Sequence, residues 1–283
     1  MPTNQYLWDE NQVRYQLFQS NNGPAYNWLF LPGGPGTDSC YFESLLAGLA
    51  LPGNVWFIDL PANGSNKVDG QPDYNFDLWF DYFIPCIKKF HNPIYVGHSF
   101  GGMFPLLFPQ LENLLKGFVI LSSAPSLWLE EAAKMALEKK ISVSLGSVEE
   151  FAANQSQETF KRALAVSMPY YFPAESIERA RLLLQNVPVN FHAAVWWLKK
   201  ASEIHFNATW VPSKVPTLIL GGSEDCMTPF SIFEQDRRFH RENILLRKIA
   251  NAGHFPWIED MQAVRDAFKV FIETFTVVSE YAE

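Results

Sequence analysis

The chain has 283 residues, 48% of them apolar and 18% charged, with 22 basic against 30 acidic side chains for a net charge of −8. That is ample apolar material for one large domain or a domain carrying an insertion, and it argues against a disordered chain. The acidic balance offers no basic surface to attract phosphates, which argues against nucleic acid and anionic membranes as partners. At the N-terminus, Met1-Pro2-Thr3-Asn4-Gln5-Tyr6 lacks the charged-then-apolar pattern of a signal peptide. No run approaches the roughly 18 apolar residues of a membrane span, so a cytoplasmic protein is expected.

Residues Gln12 to Gln19 alternate polar and apolar, as a half-buried strand near a sheet edge should, and Asn21-Asn22-Gly23-Pro24 marks a turn. The apolar run Tyr26 to Leu31 predicts an interior strand entering Pro32-Gly33-Gly34-Pro35-Gly36, a loop before a helix over Ser39 to Ala50. A third strand over Asn54 to Leu60 precedes a helix from Phe76 to Phe90, with Asn75 as cap and Pro85 as a kink or an early stop. Pro93 to Val96 is a fourth strand, leading into Gly97-His98-Ser99-Phe100-Gly101-Gly102 and a helix that Pro105 and Pro109 keep short or bent. Gly117 to Leu121 is the next strand.

From 125 to 212 the strand pattern is replaced by helical periodicity, over Glu130 to Lys140, Val148 to Ala153, Gln157 to Met168, Ala174 to Gln185 and Phe191 to Glu203. This predicts a helical cap inserted into a core made of residues 1–124 and 213–283. Most of its aromatic residues should form the cap's own small core; Trp128, Tyr171, Trp196 and Trp197 are candidates for lining a substrate pocket. Strands resume over Val215 to Leu220 and Ile244 to Ile249, separated by a helix over Phe230 to Phe239 and closed by a helix from Asp260 to Phe275. Strands alternating with helices predict an α/β fold: a doubly wound, mostly parallel sheet. Cys40, Cys86 and Cys226 are widely spaced with no C-x-x-C, so they read as reduced core thiols rather than a zinc site or disulfide framework.

A lone serine hydroxyl is a poor nucleophile, so Ser99 needs a base, and the base needs a third group to hold its tautomer. Asp225 and His254 each follow a strand, in the order Ser, acid, His, so a parallel sheet would bring all three to one edge. The rivals fit less well. His98 adjoins Ser99 on a sharp turn and points elsewhere; His91 lies at the wrong end of a strand; His192 and His205 fall in the cap and His240 at a helix end. Glu224 and Asp59 compete with Asp225 for the acid role. The backbone N–H groups of Phe100 and Gly34 are the candidate oxyanion donors.

With these residues assembled, the chain resembles the α/β-hydrolase superfamily over nearly its whole length. The motifs are Gly97-His98-Ser99-Phe100-Gly101-Gly102, Gly222-Ser223-Glu224-Asp225 with Pro229, and Asn251-Ala252-Gly253-His254-Phe255-Pro256. Gly33-Gly34-Pro35-Gly36 is similar to the His-Gly-Gly-Pro-Gly signature of the proline iminopeptidase-like branch, which also implies Gly34 as an oxyanion donor. Pro32 stands where that branch usually has His, and Phe100 where its peptidases often have Trp. Glu203 is a candidate for the cap carboxylate with which those peptidases grip a free amine. The expected function is a serine hydrolase acting on a small acyl substrate, an ester or amide, with no cofactor and no metal. The alternatives are an iminopeptidase-like aminopeptidase and, from another class, a non-catalytic ligand-binding protein.

Overall fold

Alternation along the inner strands builds two apolar faces on one sheet. The computed structural model describes residues 5–276, apart from 24, 69–73 and 143–144. Residues 1–4 and Pro24 of the expected turn therefore lie outside the described residues. Among the described residues the sheet has β1 (Tyr6–Trp8), β2 (Arg14–Ser20), β3 (Asn27–Leu31), β4 (Asn54–Asp59), β5 (Pro93–His98), β6 (Gly117–Leu121), β7 (Thr217–Gly222) and β8 (Ile244–Ile249). Their order is β1-β2-β4-β3-β5-β6-β7-β8. β1 pairs with β2, and β2 with β4, antiparallel, and all other neighbours are parallel.

In β3, Leu29 and Leu31 join Tyr95, Phe118 and Ile219 on one face, while Trp28 and Phe30 join Val96, Val119 and Leu218 on the other. Both sets are buried, which is why these strands read as continuous apolar runs. Trp79 and Phe83, from the helix Trp79–Lys88, cover the first face. Phe268 and Phe271, from the closing helix Met261–Thr276, cover the second. Burying each such side chain contributes about 1.5–3 kcal/mol.

Gln12 to Gln19 lies near the sheet edge as expected, one strand in, because β1 pairs outside it, Tyr6 opposite Gln16. Other expectations change on contact with the structure. Pro85 neither stops nor ends the helix Trp79–Lys88. Pro85 and Asp81 are both exposed, so the Asp81 carbonyl that proline leaves unbonded can be satisfied by water. The expected helix over Phe230 to Phe239 divides into Ser231–Gln235 and the 3-10 turn Arg237–Phe239, whose start is capped by the Asp236 side chain.

Between β6 and β7 the chain is helical, with Leu129–Glu138, Leu145–Ala153, Gln157–Val166, Met168–Tyr171, Ile177–Leu184 and Phe191–Glu203 as α-helices. Its aromatic residues do not form a core of their own. Trp128, Trp197, Phe206 and Trp210 belong to the cluster on the first sheet face, and Phe172 to the cluster on the second. Helices this short cannot bury their apolar stripes on one another alone, so they use the sheet's faces. Phe151, Phe160 and Phe191 are the exception, a small aromatic group within the insertion.

Candidate active site

The parallel strands all end at one edge, and there β5 passes into Ser99. Ser99 has φ 53° and ψ −118°, a left-handed conformation that costs a non-glycine residue about 1–3 kcal/mol. The glycines around it make the turn possible: a Cβ on Gly97 would overlap the carbonyl of Gly101, and a Cβ on Gly101 the carbonyl of Leu31. The strained residue is held by its backbone. Its N–H donates to Leu121 O at 2.9 Å, and its carbonyl accepts from Gly102 N at 2.9 Å and from Ser123 Oγ at 2.8 Å. Ser99 is half-buried, and its hydroxyl has no hydrogen-bond partner among the described residues.

At the end of β7, Asp225 is fully buried and saturated by its own turn. Oδ1 accepts the N–H groups of Met227 at 2.8 Å and Thr228 at 3.0 Å, an arrangement natural to aspartate at a tight turn. Oδ2 accepts the Thr228 hydroxyl at 2.9 Å and lies 2.8 Å from His254 Nδ1. A carboxylate only accepts, so Nδ1 carries the proton and Nε2 is left as an acceptor. The Thr228 hydroxyl, 3.3 Å from the same Nδ1, closes this group.

The loop after β3 has Gly34 at φ 107°, a conformation that favours glycine. Gly33 donates its N–H to the Tyr41 hydroxyl, whereas the N–H groups of Gly34 and Phe100 make no hydrogen bond among the described residues. Gly33 lies close against the turn at Ser99: a Cβ there would come within 2.8 Å of the Ser99 Cβ.

The helical insertion reaches this edge through backbone atoms. The carbonyl of Tyr171 accepts from His254 N at 2.7 Å and that of Tyr170 from Cys226 N at 3.0 Å. The Tyr171 ring stands edge-on to His254, centroids 5.3 Å apart. Opposite, Asn190 N donates to Gly36 O at 2.8 Å and Asp38 N to Pro188 O at 3.0 Å, with Thr37 and Val189 bridged between them.

The other sequence candidates fall elsewhere. Trp197, only 1% exposed, packs edge-on against Phe100 at 4.9 Å; Trp128 packs edge-on against Phe206 at 6.5 Å. Trp196 donates its indole N–H to Asp77 and lines a surface groove of about 230 Å³ with Lys199, Lys200 and Glu203. Glu203 is exposed and paired with those two lysines. Asp59 does not approach His254. It binds Arg14 at 2.7 Å and accepts from the backbone and hydroxyl of Ser39. Glu224 pairs with Lys139, His240 bonds the Glu234 carbonyl, His192 stacks on Phe191, and His91 and His205 are exposed. Sequence reasoning missed Thr228, although a threonine three residues after a turn aspartate is a readable signal, and Tyr41, for which there is none. No group of three or more His, Cys, Asp or Glu side chains among the described residues could hold a metal ion, and no described helix is long and apolar enough to cross a membrane.

Comparison with known proteins gives this geometry a family. Residues 28–267 match the model of the "Alpha/beta hydrolase family". The chain is 23% identical over 256 residues to the pimeloyl-[acyl-carrier protein] methyl ester esterase of Xylella fastidiosa (strain 9a5c), covering 89% of this chain and 96% of the relative. Among solved structures it resembles a proline iminopeptidase-related protein from Thermus thermophilus, with TM-score 0.71 at 16% identity, covering 97% of this chain and 98% of the other. It also resembles the proline iminopeptidase of Mycobacterium smegmatis, with TM-score 0.59 at 17% identity over 94% and 96% of the two chains. At these identities the two solved structures share the fold.

Proposed function

The chain belongs to the alpha/beta hydrolase family, and on that footing we propose that it is a serine hydrolase of small carboxylic esters whose acyl group is apolar or aromatic. One observation carries the reading: the buried carboxylate of Asp225 lies 2.8 Å from His254 Nδ1, at the sheet edge where β5 turns through Ser99. In the proposed reaction the Ser99 hydroxyl attacks the acyl carbonyl while Nε2 of His254 takes its proton. The N–H groups of Gly34 and Phe100 stabilise the oxyanion, each donor contributing about 3 kcal/mol. His254 then protonates the departing alcohol, and water, activated by the same nitrogen, releases the acid from Ser99.

Residues 125–212 are read as a cap over this site, with Tyr171, whose ring stands edge-on to His254, contributing aromatic surface to the substrate. The ester reading is favoured over cleavage of N-terminal residues by the charge of that segment. It contains no aspartate, and every one of its glutamates is exposed except Glu131, which is partly buried and paired with Lys134. A free amine would therefore lack a buried carboxylate to receive it. The relative named for a methyl ester points the same way. The free thiols of Cys40, Cys86 and Cys226 support a reducing, cytoplasmic setting.

Turnover of p-nitrophenyl acetate and butyrate, set beside prolyl and alanyl p-nitroanilide, tests the assignment. The expected result is ester turnover abolished in Ser99→Ala, with the anilides at least about a hundredfold slower. Preferential cleavage of the anilides would replace the ester reading with an aminopeptidase. Ester turnover surviving intact in Ser99→Ala would remove the proposed chemistry altogether.

A further inference from the structure

A buried chain of hydrogen bonds joins the three loops of the proposed machinery, and the mechanism above gives it no part. Gly33, the neighbour of Gly34, donates its N–H to the Tyr41 hydroxyl at 2.8 Å. That hydroxyl lies 2.8 Å from His98 Nδ1, and His98 Nε2 lies 2.9 Å from the carbonyl oxygen of His254. Elementary chemistry sets the direction of every link. A backbone carbonyl only accepts, so His98 must carry its proton on Nε2. Nδ1 is then an acceptor, and the Tyr41 hydroxyl, which already accepts from Gly33, gives it its single proton. No link can be reversed without losing a bond.

The surroundings keep this arrangement neutral. Tyr41 and His98 are 2% and 1% exposed, and Phe255 and Trp257 stand 4.6 and 5.4 Å from the imidazole. Burial, reinforced by the nearby His254, holds His98 well below the usual histidine range. The two imidazole rings are 4.8 Å apart. A charged His98 would oppose the imidazolium that His254 becomes during the reaction, so a neutral ring is the form compatible with catalysis.

We propose that Tyr41 and His98 are positioning residues, a relay that sets the Gly33-Gly34 loop and the His254 loop at a fixed separation on either side of Ser99. Ser99 directly follows β5, but the oxyanion loop and the base arrive from distant parts of the chain. Without a direct link their spacing would depend on loop packing alone, and an error of about 1 Å can cost a hundredfold in rate. The relay rests on the serine hydrolase reading. Neither residue touches the substrate.

The test uses Tyr41→Phe, His98→Gln and the double variant, with p-nitrophenyl acetate as substrate and active sites counted by a fluorophosphonate probe. Each single variant is expected to lower kcat per labelled site about tenfold with KM held within about twofold, and the double variant to be no slower than the worse single, because one broken link disables the relay. A role confined to stability would lower Tm and the labelled fraction but leave kcat per labelled site unchanged, and that result overturns the relay. Losses that multiply in the double variant overturn it as well. Should His98→Gln fail to fold, Tyr41→Phe, which keeps the ring, decides on kcat per labelled site alone. A wild type that the probe leaves unlabelled would remove the hydrolase reading and the relay with it, whereas labelling at Ser99 with kcat per site unchanged in the variants removes only the relay.

Discussion

The carboxyl edge of the sheet and the helical insertion hold their residues by different means. At the edge the turns themselves are set by close neighbours in sequence: Asp225 by the N–H groups of Met227 and Thr228, Ser99 by the glycines at 97 and 101. In the insertion, Trp197 reaches Phe100 from nearly a hundred positions away, and docking runs through main-chain atoms such as the Tyr171 carbonyl and the Asn190 N–H. On the proposed reading, the chemistry belongs to the edge and selectivity to the insertion. Variants at the edge should strike every substrate alike, and variants in the insertion should sort substrates by size.

The largest expected effect belongs to Ser99→Ala, which should lower kcat for p-nitrophenyl acetate by about 10⁵-fold without loss of folding, checked by stopped assays against circular dichroism. Asp225→Asn comes next. It keeps the shape but can donate to Nδ1 and favours the wrong tautomer of His254, and about a 10⁴-fold fall in kcat is expected with KM little changed. Trp197→Ala should break the symmetry between substrates. Beside Phe100 it opens space, so kcat/KM for p-nitrophenyl benzoate should change by about tenfold or more relative to p-nitrophenyl acetate. Equal changes for both substrates would contradict the division of labour.

The smallest effect is on stability and lies outside the catalytic group. Arg14 serves two buried carboxylates, Asp38 at 2.9 Å and Asp59 at 2.7 Å. Burial, and then Asp38, push Asp59 up to about 6 against the pull of Arg14. A carboxyl raised in the folded state adds stability below its unfolded value, and that contribution is lost as pH rises through 6. Melting curves between pH 4.5 and 7 should therefore show this loss in the wild type, and a flatter dependence in Asp59→Asn.

The same contrast explains what could be read without coordinates. β6 and the helix Phe191–Glu203 coincide with their expected bounds because an unbroken apolar run and an amphipathic stripe define them, and β8 coincides although the exposed Arg247 and Lys248 interrupt its apolar residues. β1 escaped, because three exposed residues carry no pattern and exist as a strand only by pairing with Arg14 to Gln16. Asp225 and His254 were legible as strand-end residues in a fixed order. Tyr41 was not, since nothing in its neighbourhood announces a bond to a histidine 57 positions on. The insertion's helices were legible by period, yet their attachment was not. A carbonyl such as that of Tyr171 is common to every residue, so a bond made through it leaves no mark in the side-chain sequence.

The central claim, that Ser99 is the nucleophile served by His254 and Asp225, meets its most direct test in the mass of the protein after exposure to a fluorophosphonate. The account predicts one adduct per chain, carried by the peptide containing Ser99, absent in Ser99→Ala and slowed about 10³-fold or more in Asp225→Asn. An adduct on another residue, or an unmodified wild-type chain, would contradict it.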